Sequence, residues 1–268
     1  MADAHPQLKP LIISAPFGNY VQPDGCTATL GTFTAARRPG RVWRVIRTVR
    51  YYPRLRAWVN KIGLRNPGID WLTQRVNAGK ISVADKIVSV HGFAPEDWWA
   101  LIEKSAALKP LAIELNISCP NVGELNWPGD LFARAVETGG EGLLTIVKLP
   151  PVNYELAFDD AMRAGVRTFH CCNTLPVPAG GVSGKPLTPV ALQCIRDLRM
   201  RAGGTPITII GGGGITTPGD IDAYRDAGAD LFAIGTKVMH PKYLWSHRGI
   251  RMLIERASLS AKSARHDA

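Results

Sequence analysis

Short apolar or β-branched runs recur along the chain, each bounded by turn residues. Most are followed by a stretch in which apolar positions return every three or four residues. Lys86–Val90, Leu111–Leu115, Leu143–Val147, Arg167–Cys171, Ile207–Ile210 and Leu231–Ile234 predict strands. Runs that are apolar at successive positions need cover on both faces, the condition of a buried parallel sheet. Between them, Pro95–Leu108, Leu131–Val136, Tyr154–Ala164, Pro189–Arg201 and Pro218–Ala227 predict helices, with a last one near Leu244–Arg256. Pro95, Glu96 and Asp97 open one helix, the acidic pair suiting its dipole, while Gly165 and Gly228 close two others. Leu11–Ile13 and Thr27–Leu30 bring the strands to eight. Eight strand–helix units over 268 residues predict a single α/β domain, a (β/α)8 or TIM barrel, with an open doubly wound sheet as the alternative. Residues from about Ser258 onward read as a disordered tail.

Composition changes this picture little. A hydrophobic fraction of 46% with 20% charged residues is that of an ordinary globular chain and excludes a low-complexity one. No run of 18 apolar residues predicts a membrane span, and Met1–Pro6 lacks the basic and apolar regions of a signal peptide. Five cysteines without a CxxC pair predict a reduced, cytoplasmic protein. Charge adds more: 32 Lys and Arg face 22 Asp and Glu, a net of +10. Arg37, Arg38, Arg41, Arg44, Arg47, Arg50, Arg54 and Arg56 crowd one segment, which Pro39, Gly40 and Pro53 interrupt. The simplest reading is a solvated basic face. The functional ones are a dock for an acidic partner, a membrane surface or nucleic acid, or a funnel for anionic substrate.

In a barrel the reactive groups sit at the C-terminal ends of the strands. The seventh predicted strand runs into Gly211–Gly214 and the eighth into Gly235-Thr236. Glycines there let backbone N–H groups approach a phosphate, which the fold accepts after these two strands. The fifth ends in Lys148, whose ammonium needs an anion if it is buried. Asn60, Asn121, Asn173 and Thr174 offer amides and hydroxyls that suit a planar, amide-bearing heterocycle. Cys119, in a polar loop before a proline, could serve as nucleophile or base, whereas Cys26, Cys171 and Cys194 read as packing residues. His91 and His170 read as satisfied strand histidines, and no His/Asp/Glu cluster has metal-ligand spacing.

Taken in order, Asn60-Lys-Ile-Gly-Leu-Arg-Asn-Pro-Gly68, Asn116-Ile-Ser-Cys-Pro-Asn121, Val147-Lys-Leu-Pro-Pro151, Asn173-Thr174, Gly180-Gly-Val-Ser-Gly-Lys-Pro-Leu187, Ile210-Gly-Gly-Gly-Gly-Ile215 and Ile234-Gly-Thr236 resemble dihydroorotate dehydrogenase. The resemblance runs from about Leu11 to Met239. It implies an FMN-dependent barrel that oxidises dihydroorotate to orotate in pyrimidine synthesis, with Cys119 taking the C5 proton while hydride passes from C6 to flavin N5. By the same resemblance Thr32, Asn116, Lys148, Cys172, Gly184, Gly213, Gly214, Gly235 and Thr236 surround FMN. Asn60, Gly63, Leu64, Asn116, Asn121, Asn173 and Thr174 hold the pyrimidine. A cysteine base resembles the soluble class, expected as a homodimer and in some members as the mate of an electron-transfer partner. The family's second active-site lysine has no counterpart in Ala15–Asn19 or Leu30–Thr34, which leaves Lys61 or an arginine of the basic segment to replace it. Two other readings stand beside this one. A flavin barrel of the tRNA dihydrouridine synthase type would use the positive charge, but only about 30 residues follow Met239 where such enzymes carry an RNA-binding domain, so a nucleic-acid partner is not expected. A flavin-binding homologue without catalysis would explain the missing lysine.

Overall fold

The computed structural model describes residues 8–118 and 127–263. The chain opens with β1 (Leu11–Ile13) and β2 (Cys26–Phe33), then α1 (Arg41–Thr48), β3 (Arg50–Tyr52), β4 (Ala57–Asn60) and α2 (Ile69–Asn77). Alternation follows with β5 (Ile87–Val90), α3 (Pro95–Ala107), β6 (Ala112–Asn116), α4 (Leu131–Gly139), β7 (Leu144–Lys148) and α5 (Glu155–Arg163). The last third comprises β8 (Thr168–Cys171), β9 (Leu175–Val177), β10 (Gly180–Gly184), α6 (Thr188–Arg201), β11 (Thr208–Gly212), α7 (Pro218–Asp226), β12 (Leu231–Ile234) and α8 (Arg248–Ser263).

Eight of these strands close a parallel barrel in the order β1, β12, β11, β8, β7, β6, β5, β2, the (β/α)8 architecture expected. Closure is made by β1, which pairs Ile12 with Ala233 of β12 on one side and with Thr27 of β2 on the other. Alternate residues along each strand face opposite sides. Ile12, Ile87, Ala112, Ile146, Ile210 and Ala233 form the small core inside the barrel. Leu11, Ile13, Ile113, Leu115, Val147, Phe169 and Ile209 instead pack outward in the larger core beneath the helices. The same parity carries the inward positions up toward the mouth, from Ala112 to Glu114 to Asn116, and from Ile146 to Lys148.

Seven elements depart from the sequence reading, among them α2, which it did not contain. An eight-residue helix, α1, fits between the Gly40 and Pro53 that had seemed to break the arginine segment. Gly40, at φ +89°, serves as its N-terminal boundary rather than as an interruption. A second sheet, ordered β3, β4, β10, β9, is antiparallel, with Val182 opposite Val59 and Gly184 opposite Ala57. The final helix starts four residues later than expected and continues through Ser263, so residues 258–263 are helical where a tail was expected.

Candidate active site

A cleft opens at the C-terminal ends of the barrel strands, and the chain's parity explains what lines it. Asn116, Lys148, His170 and Cys172 reach it from β6, β7 and the end of β8, and Gly212–Gly214 and Gly235-Thr236 from the ends of β11 and β12. Thr32 comes from β2, and Asn60, Ile62, Gly63 and Leu64 from β4 and the loop after it. Asn173 and Thr174 complete the wall, with Ser183 of β10.

A chain of amides and hydroxyls crosses its floor. The Asn116 Nδ2 donates to Thr32 Oγ1 at 3.0 Å, and Thr32 in turn bonds Ser89 at 2.9 Å. The Asn173 Nδ2 donates to Asn116 Oδ1 at 3.0 Å and to Ser118 Oγ at 3.1 Å, while Ser118 donates to Asn116 Oδ1 at 3.2 Å. His91 bonds the Asn116 carbonyl through Nδ1 at 2.7 Å. These links fix the side chains of Thr32, Asn116 and Asn173, which line the cleft, and tie them to the buried Ser118, the residue before Cys119.

Below this layer lies a buried charged cluster. Glu114 bonds His170 Nδ1 at 2.7 Å through one oxygen, and its other oxygen is 3.7 Å from the Lys148 ammonium. Burial pushes the Glu114 carboxyl up, but the Lys148 charge and the His170 hydrogen bond outweigh it and hold the group at about 2. Burial, then the Lys148 charge, pull His170 below the usual imidazole range against Glu114. The stable arrangement is therefore a carboxylate, an ammonium and a neutral imidazole that donates from Nδ1. Burial also raises the Cys172 thiol well above its usual value, so that side chain enters the cleft as a neutral thiol.

On the opposite side, β11 runs into glycines whose geometry a side chain would not tolerate. Gly213 and Gly214 have φ of +122° and +78°. A Cβ on Gly214 would stand 2.5 Å from Thr188 Oγ1 and 2.7 Å from the Gly184 carbonyl oxygen. The turn is clamped from outside by Tyr224, whose hydroxyl donates to the Gly213 carbonyl, and by Asp220. Asp220 closes a capping box with Thr217 at the start of α7 and pairs with Lys185 at 2.5 Å. Glycine here leaves backbone open to a close-lying ligand.

Of the residues expected from sequence, Thr32, Asn60, Gly63, Leu64, Asn116, Lys148, Cys172, Asn173, Thr174, Gly213, Gly214, Gly235 and Thr236 all line this one cleft. Gly184 stands one layer behind, its carbonyl against Gly214. Cys119 and Asn121 lie outside the described residues. Sequence reasoning missed the Ser14–Phe17 turn, Arg41, Val49, Asn66 and the site role of His170. Parity could have found His170, two residues before Cys172 on the inward face; nothing in the pattern singled out Arg41 from its neighbours. Lys61 is exposed and does not line the cleft, whereas Arg41 does.

The residues fit a flavin mononucleotide. Lys148 lines the cleft, is buried, and makes no hydrogen bond among the described residues, which leaves an ammonium for an electron-rich ring edge. The glycine turns at the ends of β11 and β12 supply the side-chain-free backbone that a phosphate needs. Fold and cleft together define a barrel built for a phosphate-bearing, planar, amide-rich ligand. The chain belongs to the dihydroorotate dehydrogenase family, whose members are FMN-dependent flavoproteins: the family model, described as dihydroorotate dehydrogenase, matches residues 19–167 and 147–256. The catalytic subunit of dihydroorotate dehydrogenase B (NAD+) from Latilactobacillus sakei is 32% identical over 209 residues, 66% of either chain. Dihydroorotate dehydrogenase A (fumarate) from Lactiplantibacillus plantarum is 31% identical over 69% of this chain and 68% of its own. The chain thus spans about two thirds of the length of these relatives. Ligand-free dihydroorotate dehydrogenase from Eimeria tenella shares the fold, with a TM-score of 0.74 over 95% of this chain and 85% of its own at 18% identity.

Proposed function

We propose that the protein oxidises dihydroorotate to orotate with FMN, in pyrimidine biosynthesis. The observation that carries this reading is the fixed Thr32–Asn116–Ser118–Asn173 network at the cleft that the buried Lys148 also lines. FMN, when bound, supplies the two-electron acceptor for the hydride that leaves C6. Thr32, Asn116, Lys148, Cys172, Gly213, Gly214, Gly235 and Thr236 would hold the cofactor, with Gly184 supporting Gly214 from behind. Asn60, Gly63, Leu64, Asn116, Asn121, Asn173 and Thr174 would hold the pyrimidine, whose ring carbonyls and N–H groups match amides that both donate and accept. The Cys119 thiolate takes the C5 proton as the C6–H bond breaks, so the ring gains its double bond and the thiolate becomes a thiol. Arg41, on the cleft wall, supplies a cation for the substrate carboxylate where the family's second lysine is missing. The same reading makes the protein a single-domain cytoplasmic homodimer that hands its electrons to a separate acceptor.

The test is an anaerobic absorption spectrum of the FMN-loaded protein before and after dihydroorotate. Bleaching of the flavin bands in the wild type, with loss of bleaching but retention of bound flavin in Cys119→Ala, supports the assignment. A yellow protein that dihydroorotate leaves yellow sinks the substrate. A protein that takes up no FMN sinks the cofactor site as well.

A further inference from the structure

Residues 25–69 contain no aspartate or glutamate but ten lysines and arginines, as many as the net charge of the whole chain. At the centre of this stretch is α1. With 3.6 residues per turn, Val42, Trp43, Val45 and Ile46 fall on one side of the helix, and Arg41, Arg44, Arg47 and Thr48 on the other. An amphipathic helix of a globular protein turns its apolar side to the core. This one does not: no residue of α1 is buried, and Val42, Ile46 and Trp43 are 74%, 63% and 60% exposed.

The helix is held by its flanks. Before it, the backbones of Arg38 and Asn66 exchange hydrogen bonds of 2.8 and 3.0 Å; at its end, the Lys61 N–H donates to Thr48 Oγ1 at 3.1 Å. Tyr51, Tyr52 and Leu55 continue the exposed apolar surface just beyond it. Arg41, Arg44, Arg47 and Arg50 form no ion pair with a carboxylate among the described residues.

We propose that α1 and the following Tyr51–Leu55 segment seat the protein on an anionic lipid bilayer. A second copy would bring an equally acid-free, positive segment against the first, and like charges facing each other oppose docking. A bilayer surface accepts both sides of the helix at once. Valine, isoleucine and tryptophan enter the boundary of headgroups and acyl chains, and the long Arg44 and Arg47 side chains, outside the cleft, reach the phosphates. The contact is peripheral: two helical turns lie along the surface and nothing crosses it. Arg41 and Val49 also line the cleft, so the seated face borders the mouth of the site. The inference stands on exposure and charge and is independent of the catalytic reading.

The experiment is flotation of the full chain with vesicles of pure phosphatidylcholine and of phosphatidylcholine with 30% phosphatidylglycerol, at about 0.1 M and about 1 M salt. The expected result is binding to the anionic vesicles alone, lost at high salt. Trp43→Ser/Ile46→Ser should abolish it, and Arg44→Gln/Arg47→Gln should weaken it about thirtyfold, at roughly a tenfold or less loss per surface cation. No residue of either pair is buried or lines the cleft, so unchanged far-ultraviolet circular dichroism is expected to certify the fold. Absence of wild-type flotation with anionic vesicles overturns the proposal. So does undiminished flotation of Trp43→Ser/Ile46→Ser, which would reduce the effect to bulk charge. Self-association, or capture of an acidic protein, that this variant abolishes while vesicles stay unbound overturns it in favour of a protein partner.

Discussion

Glu114 meets two partners that pull its proton in the same direction, and it does so with almost no water around it. Removing one member of a buried ion pair leaves the other charged and unpaired, which costs more than the pair contributes. Glu114→Gln is therefore expected to destabilise the protein by about 3 kcal/mol, read from urea unfolding at pH 7. The pH dependence has a definite sign. Because the folded carboxyl sits at about 2 against an ordinary 4.5, its contribution is complete above pH 4.5 and is lost as pH falls from there toward 2. His170, held below its ordinary 6.5 in the fold, adds in the same sense: the unfolded chain takes up its proton first, so stability falls as pH drops below 6.5. Acid unfolding of Glu114→Gln should accordingly show a shallower decline between pH 4.5 and 2 than the wild type, with Asp220, whose carboxyl is also held at about 2, keeping its share. At this scale the sequence disclosed the residue types of the site but not their coupling. Lys148 was legible as a charge needing an anion, yet its carboxylate lies 34 residues earlier, on a neighbouring strand.

Among the elements, the barrel strands were legible because they are short runs rich in apolar or β-branched residues bounded by turn residues, and only their ends shifted. Pairing of β4 with β10 was not, because each is four or five residues long, one of them glycine-rich, and more than a hundred residues of chain lie between them. Gly180 is what lets the two backbones meet. Gly180 has φ +131°, and a Cβ there would stand 2.1 Å from the Asn60 carbonyl oxygen. Gly180→Ala is expected to cost about 1–3 kcal/mol and to push β10 off β4. Asn60 is a cleft residue at that contact, so orotate affinity should fall severalfold while FMN affinity stays near wild type, as two separate fluorescence titrations would show. An equal loss of both would mean that the substitution disturbs the barrel itself. Helix α1 was hidden for a different reason. Gly40 and Pro53 read as breaks, although Gly40 only starts the helix, Pro53 lies beyond β3, and eight residues repeat the helical period only about twice.

At the scale of the whole molecule, the barrel closes on a cleft whose two glycine turns belong to the last two strands, while its asparagines come from earlier ones. A ligand that touches both halves stabilises only the closed form. FMN at a hundred times its dissociation constant should add about 2.7 kcal/mol, visible as a rise of about 5–10 °C in the thermal midpoint over the flavin-free protein. No such rise would mean that cofactor binding does not depend on the closed barrel. The eight-stranded barrel was legible from the strand count; Cys119 and Asn121 were legible only as a motif and lie outside the described residues.

The pairing of β1 with both β2 and β12 also has a meaning in time. On a ribosome adding 5–20 residues per second, Leu11–Ile13 emerges on the order of ten seconds or more before Leu231–Ile234 can cover its other side. Throughout that interval an apolar strand with one open edge must avoid the wrong neighbour. A nascent chain stopped before residue 231 should therefore be a substrate for holding chaperones, whereas one released after it should leave them.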